Sequence, residues 1–109
     1  MSIVNCHAGL VRFTKEDNDG RSILLYSGPT GSKRGTEKYL ERSRLPVRAS
    51  FDEGKTWPIA RIITEGYAGY SDLAIAKDGT ILCVYGVDTF DASKSKHNVI
   101  RLSWDAIEN

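Results

Sequence analysis

Cysteine is nearly absent from this chain: only Cys6 and Cys83 occur. Their spacing builds neither a disulfide framework nor a metal-binding set. It leaves a single disulfide or two thiols open, and the reading adopted is two free thiols with Cys83 packed in a strand. Long hydrophobic runs are absent too. The longest, Ile81-Leu82-Cys83-Val84-Tyr85, is far short of the roughly 20 apolar residues of a membrane-spanning helix. Charge of one sign is also lacking, since fifteen Lys and Arg stand against fourteen Asp and Glu for a net +1. No broad field therefore directs the chain to nucleic acid or to an anionic membrane, and neither is expected as a partner. Met1-Ser2-Ile3-Val4, followed by Asn5 and His7, has no basic stretch leading into an apolar one, so no secretory leader is expected. His7 and His97 have no companions at ligand or triad spacing. No metal and no cofactor are expected.

Helical periodicity is nearly missing as well, and short β-rich runs between turn signals take its place. These runs are 8–14, 22–27, 45–51, 57–64, 70–77, 80–87 and 98–104. Asp19-Gly20, Gly28-Pro29, Gly54, Glu65-Gly66 and Asp78-Gly79 punctuate them, as hairpin turns do. The sequence therefore predicts an all-β, antiparallel fold in a single globular segment, with 40% hydrophobic and 27% charged residues excluding general disorder. The hairpin of Leu73–Ala76 and Ile81–Val84 is apolar on both faces, which predicts strands buried on two sides. Two polar loops are expected, at 31–44 (with a short helix around Glu37 to Glu41) and at 88–97.

Ser50-Phe51-Asp52-Glu53-Gly54-Lys55-Thr56-Trp57 reads S-x-D-x-G-x-T-W. Physically this is a hairpin corner. Ser50 and Asp52 can satisfy turn amides, Gly54 permits φ > 0, Thr56 belongs to the same turn and Trp57 covers it. The segment resembles the Asp-box, or bacterial neuraminidase repeat, a structural element. Thirteen residues after Trp57 comes Tyr70-Ser71-Asp72-Leu73, then Asp78-Gly79-Thr80 and an apolar strand. Upstream lies Arg42-Ser43-Arg44-Leu45-Pro46-Val47-Arg48-Ala49-Ser50. Together with Ser22–Pro29, an apolar strand ending in S-x-P, these segments resemble the sialidase (neuraminidase) family from about His7 to Trp104.

The resemblance implies a fold of about two blades of a six-bladed β-propeller, residues 1–109 forming a C-terminal fragment of that domain. An Asp-box blade would hold 8–64, and a last, incomplete blade 70–104, lacking a strand that the N-terminus of the full ring normally supplies. The implied activity is that of an exo-α-sialidase, a retaining glycosidase releasing terminal sialic acid, with a sialylated glycan or related sugar as substrate. Tyr70 would be the nucleophile and Arg42 a ligand of the substrate carboxylate, with Arg44 as fallback. A neutral tyrosine suits a substrate whose anomeric carbon carries a carboxylate, because an Asp or Glu nucleophile would meet a like charge. Its phenol, titrating near about 10 when unperturbed, needs a carboxylate base. A guanidinium fork binds the substrate carboxylate bidentately.

The same resemblance shows what the 109 residues do not supply. The family's other two arginines, its acid/base aspartate and the glutamate that activates tyrosine belong upstream of the matched region. Where the family tends to place Glu after the Tyr85 strand, Gly86 stands. Hydrolysis by the 109 residues alone is not expected. The alternative is a non-catalytic Asp-box propeller fragment acting as a carbohydrate- or protein-binding module, or a truncated product without activity. Open blade faces predict self-association, or pairing with a complementing N-terminal propeller segment. The family is often secreted; nothing in this sequence assigns a compartment.

Overall fold

The computed structural model describes residues 8–14, 22–30, 43–87 and 96–108. The seven strands expected from the sequence form two antiparallel sheets. The first is a four-stranded meander of β1 (Gly9–Thr14), β2 (Ser22–Ser27), β3 (Ser43–Ser50) and β4 (Ile59–Tyr67), paired in chain order. The second contains β5 (Ser71–Ile75), β6 (Ile81–Gly86) and β7 (His97–Leu102), again in chain order. A short helix, α1 (Trp104–Glu108), follows.

Alternation along the strands decides which faces meet. In β2, Ile23, Leu25 and Ser27 are buried, while Ser22, Leu24 and Tyr26 are half-buried. Leu45, Val47 and Ala49 of β3 continue the buried face, as do Leu73 of β5 and Ile81, Cys83 and Tyr85 of β6. These side chains share one core with Phe13, Trp104 and Ile107. Each fully buried Ile, Leu or Val contributes about 1.5–3 kcal/mol over leaving it in water. The sheets come close at Gly9, where a Cβ would stand 2.8 Å from both Asp72 Cα and Leu73 N. Only a residue without a side chain lets two backbones approach so nearly.

The β5–β6 hairpin closes through Ala76 N–H to Thr80 O (2.9 Å) and Gly79 N–H to Ala76 O (3.0 Å). The Asp78 carboxylate accepts the Thr80 N–H at 2.9 Å.

β3 starts at Ser43, within the stretch expected as a loop, and β4 at Ile59 rather than Trp57; three further expectations need correction. The last strand ends at Leu102, and Trp104 opens a helix in place of continuing it. Ser103 explains this: its side-chain oxygen accepts the Ala106 N–H at 3.2 Å, the bond of an N-cap serine to the third helical residue. Arg61 of β4 donates from Nη2 to the Ile107 carbonyl, tying α1 to the first sheet. Second, β5 and β6 are not buried on both faces. Asp72 and Ala74 are exposed, Leu82 and Val84 half-buried, and Val99, paired with Val84, is 64% exposed. Their apolar outer positions face solvent because this side of the second sheet carries no covering layer among the described residues. Third, His97 begins β7 opposite Gly86 rather than ending a loop. The expected helix near Glu37 to Glu41, most of the second loop, His7 and Cys6 lie outside the described residues. Cys83 is a buried free thiol.

Candidate functional site

Strand register puts the two segments singled out in the sequence at opposite ends of the sheets. Leu24 pairs with both Arg12 and Ser50, whereas Ser27 pairs with Gly9 and Val47. The 50–57 corner therefore lies at the Leu24 end. Ser71, which follows Tyr70, is bonded to Ser27 at the other end, Oγ to Oγ at 2.9 Å. The three residues from Leu24 to Ser27 separate these levels by roughly 10 Å of strand.

The corner is held by its own side chains. Ser50 is buried, and its Oγ accepts the Gly54 N–H at 2.8 Å while donating to Asp52 Oδ1 at 2.8 Å. Asp52 accepts the Thr56 N–H on Oδ1 (2.8 Å) and the Thr56 hydroxyl on Oδ2 (2.6 Å). The Thr56 hydroxyl and amide, with Ser50, hold the Asp52 carboxyl down at about 2. Glu53 and Gly54 both take positive φ, 61° and 87°. Trp57 packs edge-on to Tyr26, with ring centroids 6.0 Å apart. Arg12 of β1 forms a bidentate pair with Glu53 at 2.7 and 2.9 Å, which keeps the Glu53 carboxyl below its ordinary range. The side chains of Ser50, Asp52 and Thr56 are spent on the turn itself, and Glu53 is tied to β1. The arrangement shapes a hairpin and leaves no acid or base poised for chemistry.

At the opposite end Tyr70 stands just before β5 and is 59% exposed. Its main chain is pinned on both sides: Gly69 N–H donates to Gly86 O (2.8 Å), and Gly86 N–H donates to Tyr70 O (3.0 Å). Arg44 belongs to the same end, where Ser43 pairs with Tyr67 across an irregularity of the β3–β4 ladder. It holds φ 57°, a left-handed conformation that costs a non-glycine residue about 1–2 kcal/mol. Thr30 compensates in part by donating to the Arg44 carbonyl from both its N–H and its hydroxyl, each at 3.0 Å. The Arg44 Nε lies 3.6 Å from Glu65 Oε2, with both side chains more than half exposed. Arg42 lies outside the described residues. Among the described residues no group of three or more His, Cys, Asp or Glu side chains is placed to hold a metal ion.

The structure thus gathers Ser50, Asp52, Gly54, Thr56 and Trp57 into one corner and sets Tyr70 apart from it. Sequence reasoning missed the buried Ser27–Ser71 contact beside Tyr70. The signal was present, because Ser27 continues the inward phase of Ile23 and Leu25, and Ser71 that of Leu73.

No protein-family model matches the chain. Two sialidases of Vibrio cholerae serotype O1, from the Ogawa 395 and El Tor N16961 strains, are each 38% identical to it over 66 residues. The match covers 61% of this chain and 8% of those proteins. A sialidase of Micromonospora viridifaciens is 32% identical over 63 residues, covering 58% of this chain and 9% of that protein. The chain is therefore related to sialidases through about three-fifths of its length, and the match spans under a tenth of theirs.

Proposed function

We propose that the chain forms part of the active site of an exo-α-sialidase, a retaining glycosidase acting on terminal sialic acid, within about two blades of a six-bladed β-propeller. The observation that carries the reading is the solvent-exposed Tyr70, its main chain pinned to Gly86, at the end of the sheets away from the self-satisfied 50–57 corner. The strand order supports it, with the corner joining the third and fourth strands of a four-stranded meander and a second meander packed beside it.

In this reading the Tyr70 hydroxyl oxygen attacks the anomeric carbon of sialic acid. Its proton passes to a carboxylate base, the bond to the departing sugar breaks, and an acid protonates that leaving oxygen. Water then cleaves the tyrosyl–sugar bond, restoring the phenol with net retention. Arg42 binds the sialic acid carboxylate. The base, the acid and two further arginines come from outside the segment.

The test is a hybrid in which residues 8–108 replace the matching part of a Vibrio cholerae sialidase, assayed with a fluorogenic sialoside. Hydrolysis is expected, and Tyr70→Phe should lower it by roughly 10⁴-fold or more, the scale of removing one member of a catalytic set. An undiminished rate in that variant would refute the nucleophile assignment.

One observation favours a second reading, a glycan-binding module without hydrolysis. Gly86 occupies the position where the family resemblance calls for glutamate, although a Cβ there would approach nothing nearer than Lys96 O at 4.0 Å. The space exists and the carboxylate does not. Glycan binding by the chain that survives Arg42→Ala, with no turnover in the hybrid, would favour this module.

A further inference from the structure

Two buried hydroxyls sit where packing alone would call for aliphatic groups. Ser27 and Ser71 are 0% and 2% exposed, in strands whose other buried positions are Ile23, Leu25 and Leu73. They lie 44 residues apart in sequence and in different sheets. Their Oγ atoms are 2.9 Å apart, and the Ser71 hydroxyl also reaches the Ser27 carbonyl at 3.1 Å. A buried hydroxyl is tolerated only when its bonds are made. These bonds are made to each other, across the sheet interface, at the residue next to Tyr70.

Gly9 makes that closeness available, since a Cβ there would lie 2.7 Å from Ser27 Oγ. Tyr70 is consequently anchored twice. Its carbonyl is bonded to the Gly86 N–H within the second sheet, and its neighbour Ser71 is bonded to the first sheet. Any tilt of the backbone at this point is amplified along the tyrosine side chain, and displacement of a reacting atom by about 1 Å costs on the order of 10²-fold in rate.

We propose that Ser27 and Ser71 form an inter-sheet hydroxyl clasp that positions Tyr70, making both serines positioning residues for its reaction. The proposal rests on the reading of Tyr70 as a nucleophile, but the placement of Tyr70 can be measured without turnover. Ser71→Thr keeps the hydroxyl, and Ser71→Val has the same shape without it, so comparing the two separates hydrogen bonding from packing. In the full chain carrying 3-fluorotyrosine, with the Tyr70 signal identified by its loss in Tyr70→Phe, ¹⁹F NMR reports on the ring. Ser71→Thr should keep the Tyr70 resonance near its wild-type position. Ser71→Val should shift or broaden it, and also the signal of Tyr85, the cross-strand partner of Ser71, while the Tyr26 signal stays in place.

Ser27→Ala is the gentler variant, because it leaves the Ser71 hydroxyl its bond to the Ser27 carbonyl. It should speed hydrogen exchange at the Gly86 amide by about fivefold, the factor expected for one lost hydrogen bond. In the hybrid sialidase it should lower kcat with KM nearly unchanged. A Tyr70 resonance that is the same in the Thr and Val variants, or a Gly86 amide indifferent to Ser27→Ala, overturns the clasp. If instead the clasp tests hold and Tyr70→Phe leaves hydrolysis intact, the nucleophile reading fails and the placement stands.

Discussion

Asp52 grips Thr56 twice, accepting its backbone N–H at 2.8 Å and its hydroxyl at 2.6 Å. Both bonds favour the ionised carboxylate, and the group titrates at about 2 rather than at its ordinary 3.8. A depressed folded-state value means that the stabilisation is fully present above 3.8 and is lost as pH falls through about 2. Asp52→Asn should therefore melt at a lower temperature at neutral pH. It should also show a flatter dependence of melting temperature on pH across that acid window. Thermal melts followed by circular dichroism at several pH values check both; parallel curves for the two proteins would show that Asp52 does not govern the acid response.

Two glycines should behave in opposite ways. Gly9→Ala would drive a methyl to 2.8 Å from the Asp72 and Leu73 backbones, and neither backbone can swing aside. Overpacking of this kind costs about 1–3 kcal/mol. Gly86→Ala meets only Lys96 O at 4.0 Å and should fall within about 0.5 kcal/mol of wild type. Urea unfolding of the two variants side by side measures the contrast, and equal midpoints would contradict the close approach of the sheets.

Much of this architecture was legible in the sequence, for reasons that also mark where legibility stopped. Alternating runs with Gly-centred turns located all seven strands, since a period of two and the turn residues are local signals. The S-x-D-x-G-x-T-W corner could be read the same way, because each bond closes within four residues of Ser50 or Asp52. The fourth strand begins at Ile59 rather than Trp57, since Trp57 and Pro58 still belong to the corner. Helix α1 escaped because five residues are too few to display a 3.6-residue period, although Ser103 before Trp104-Asp105 was a usable start signal. The Ser27–Ser71 contact is non-local, and the alternation showed that both serines point inward without showing that they meet. The left-handed turn at Arg44 carries no local signature.

Cys83 should be slow to react. Burial is the main cause pushing its thiol up to about 11 from an ordinary 9.0, with Ser27 opposing in part. A raised value for an acid means that the folded state is favoured fully below 9.0, and that this contribution is lost as pH rises through about 11. At pH 8 the folded chain should leave Cys83 unmodified by iodoacetamide for as long as it stays folded, and urea should release rapid alkylation. Peptide mass mapping distinguishes Cys83 from Cys6. Fast labelling of Cys83 in the native chain would contradict its packing.

The outer face of the second sheet should make the chain self-associate. Ala74, Leu82, Val84 and Val99 line it between Asp72 and Arg101, with Ala74 and Val99 exposed, and an exposed apolar patch on a sheet invites pairing. Sedimentation velocity of the chain should show weight-average mass rising with concentration. Val99→Lys should reduce that rise while changing stability by no more than about 0.5 kcal/mol. A concentration-independent monomer would remove this face from consideration as an adhesive surface.

The indole of Trp104 rests against Phe13, ring centroids 5.8 Å apart, and also against Phe51. Ninety-one positions (104 − 13) separate the first pair, so β1 finds part of its apolar cover in α1, far along the chain. A growing polypeptide on the ribosome can close its hairpins one after another, yet that end of the core stays wet until synthesis reaches α1. Closure of this end of the core accordingly waits for α1, and a chain halted before Trp104 would leave Phe13 and Phe51 open to chaperones and to aggregation.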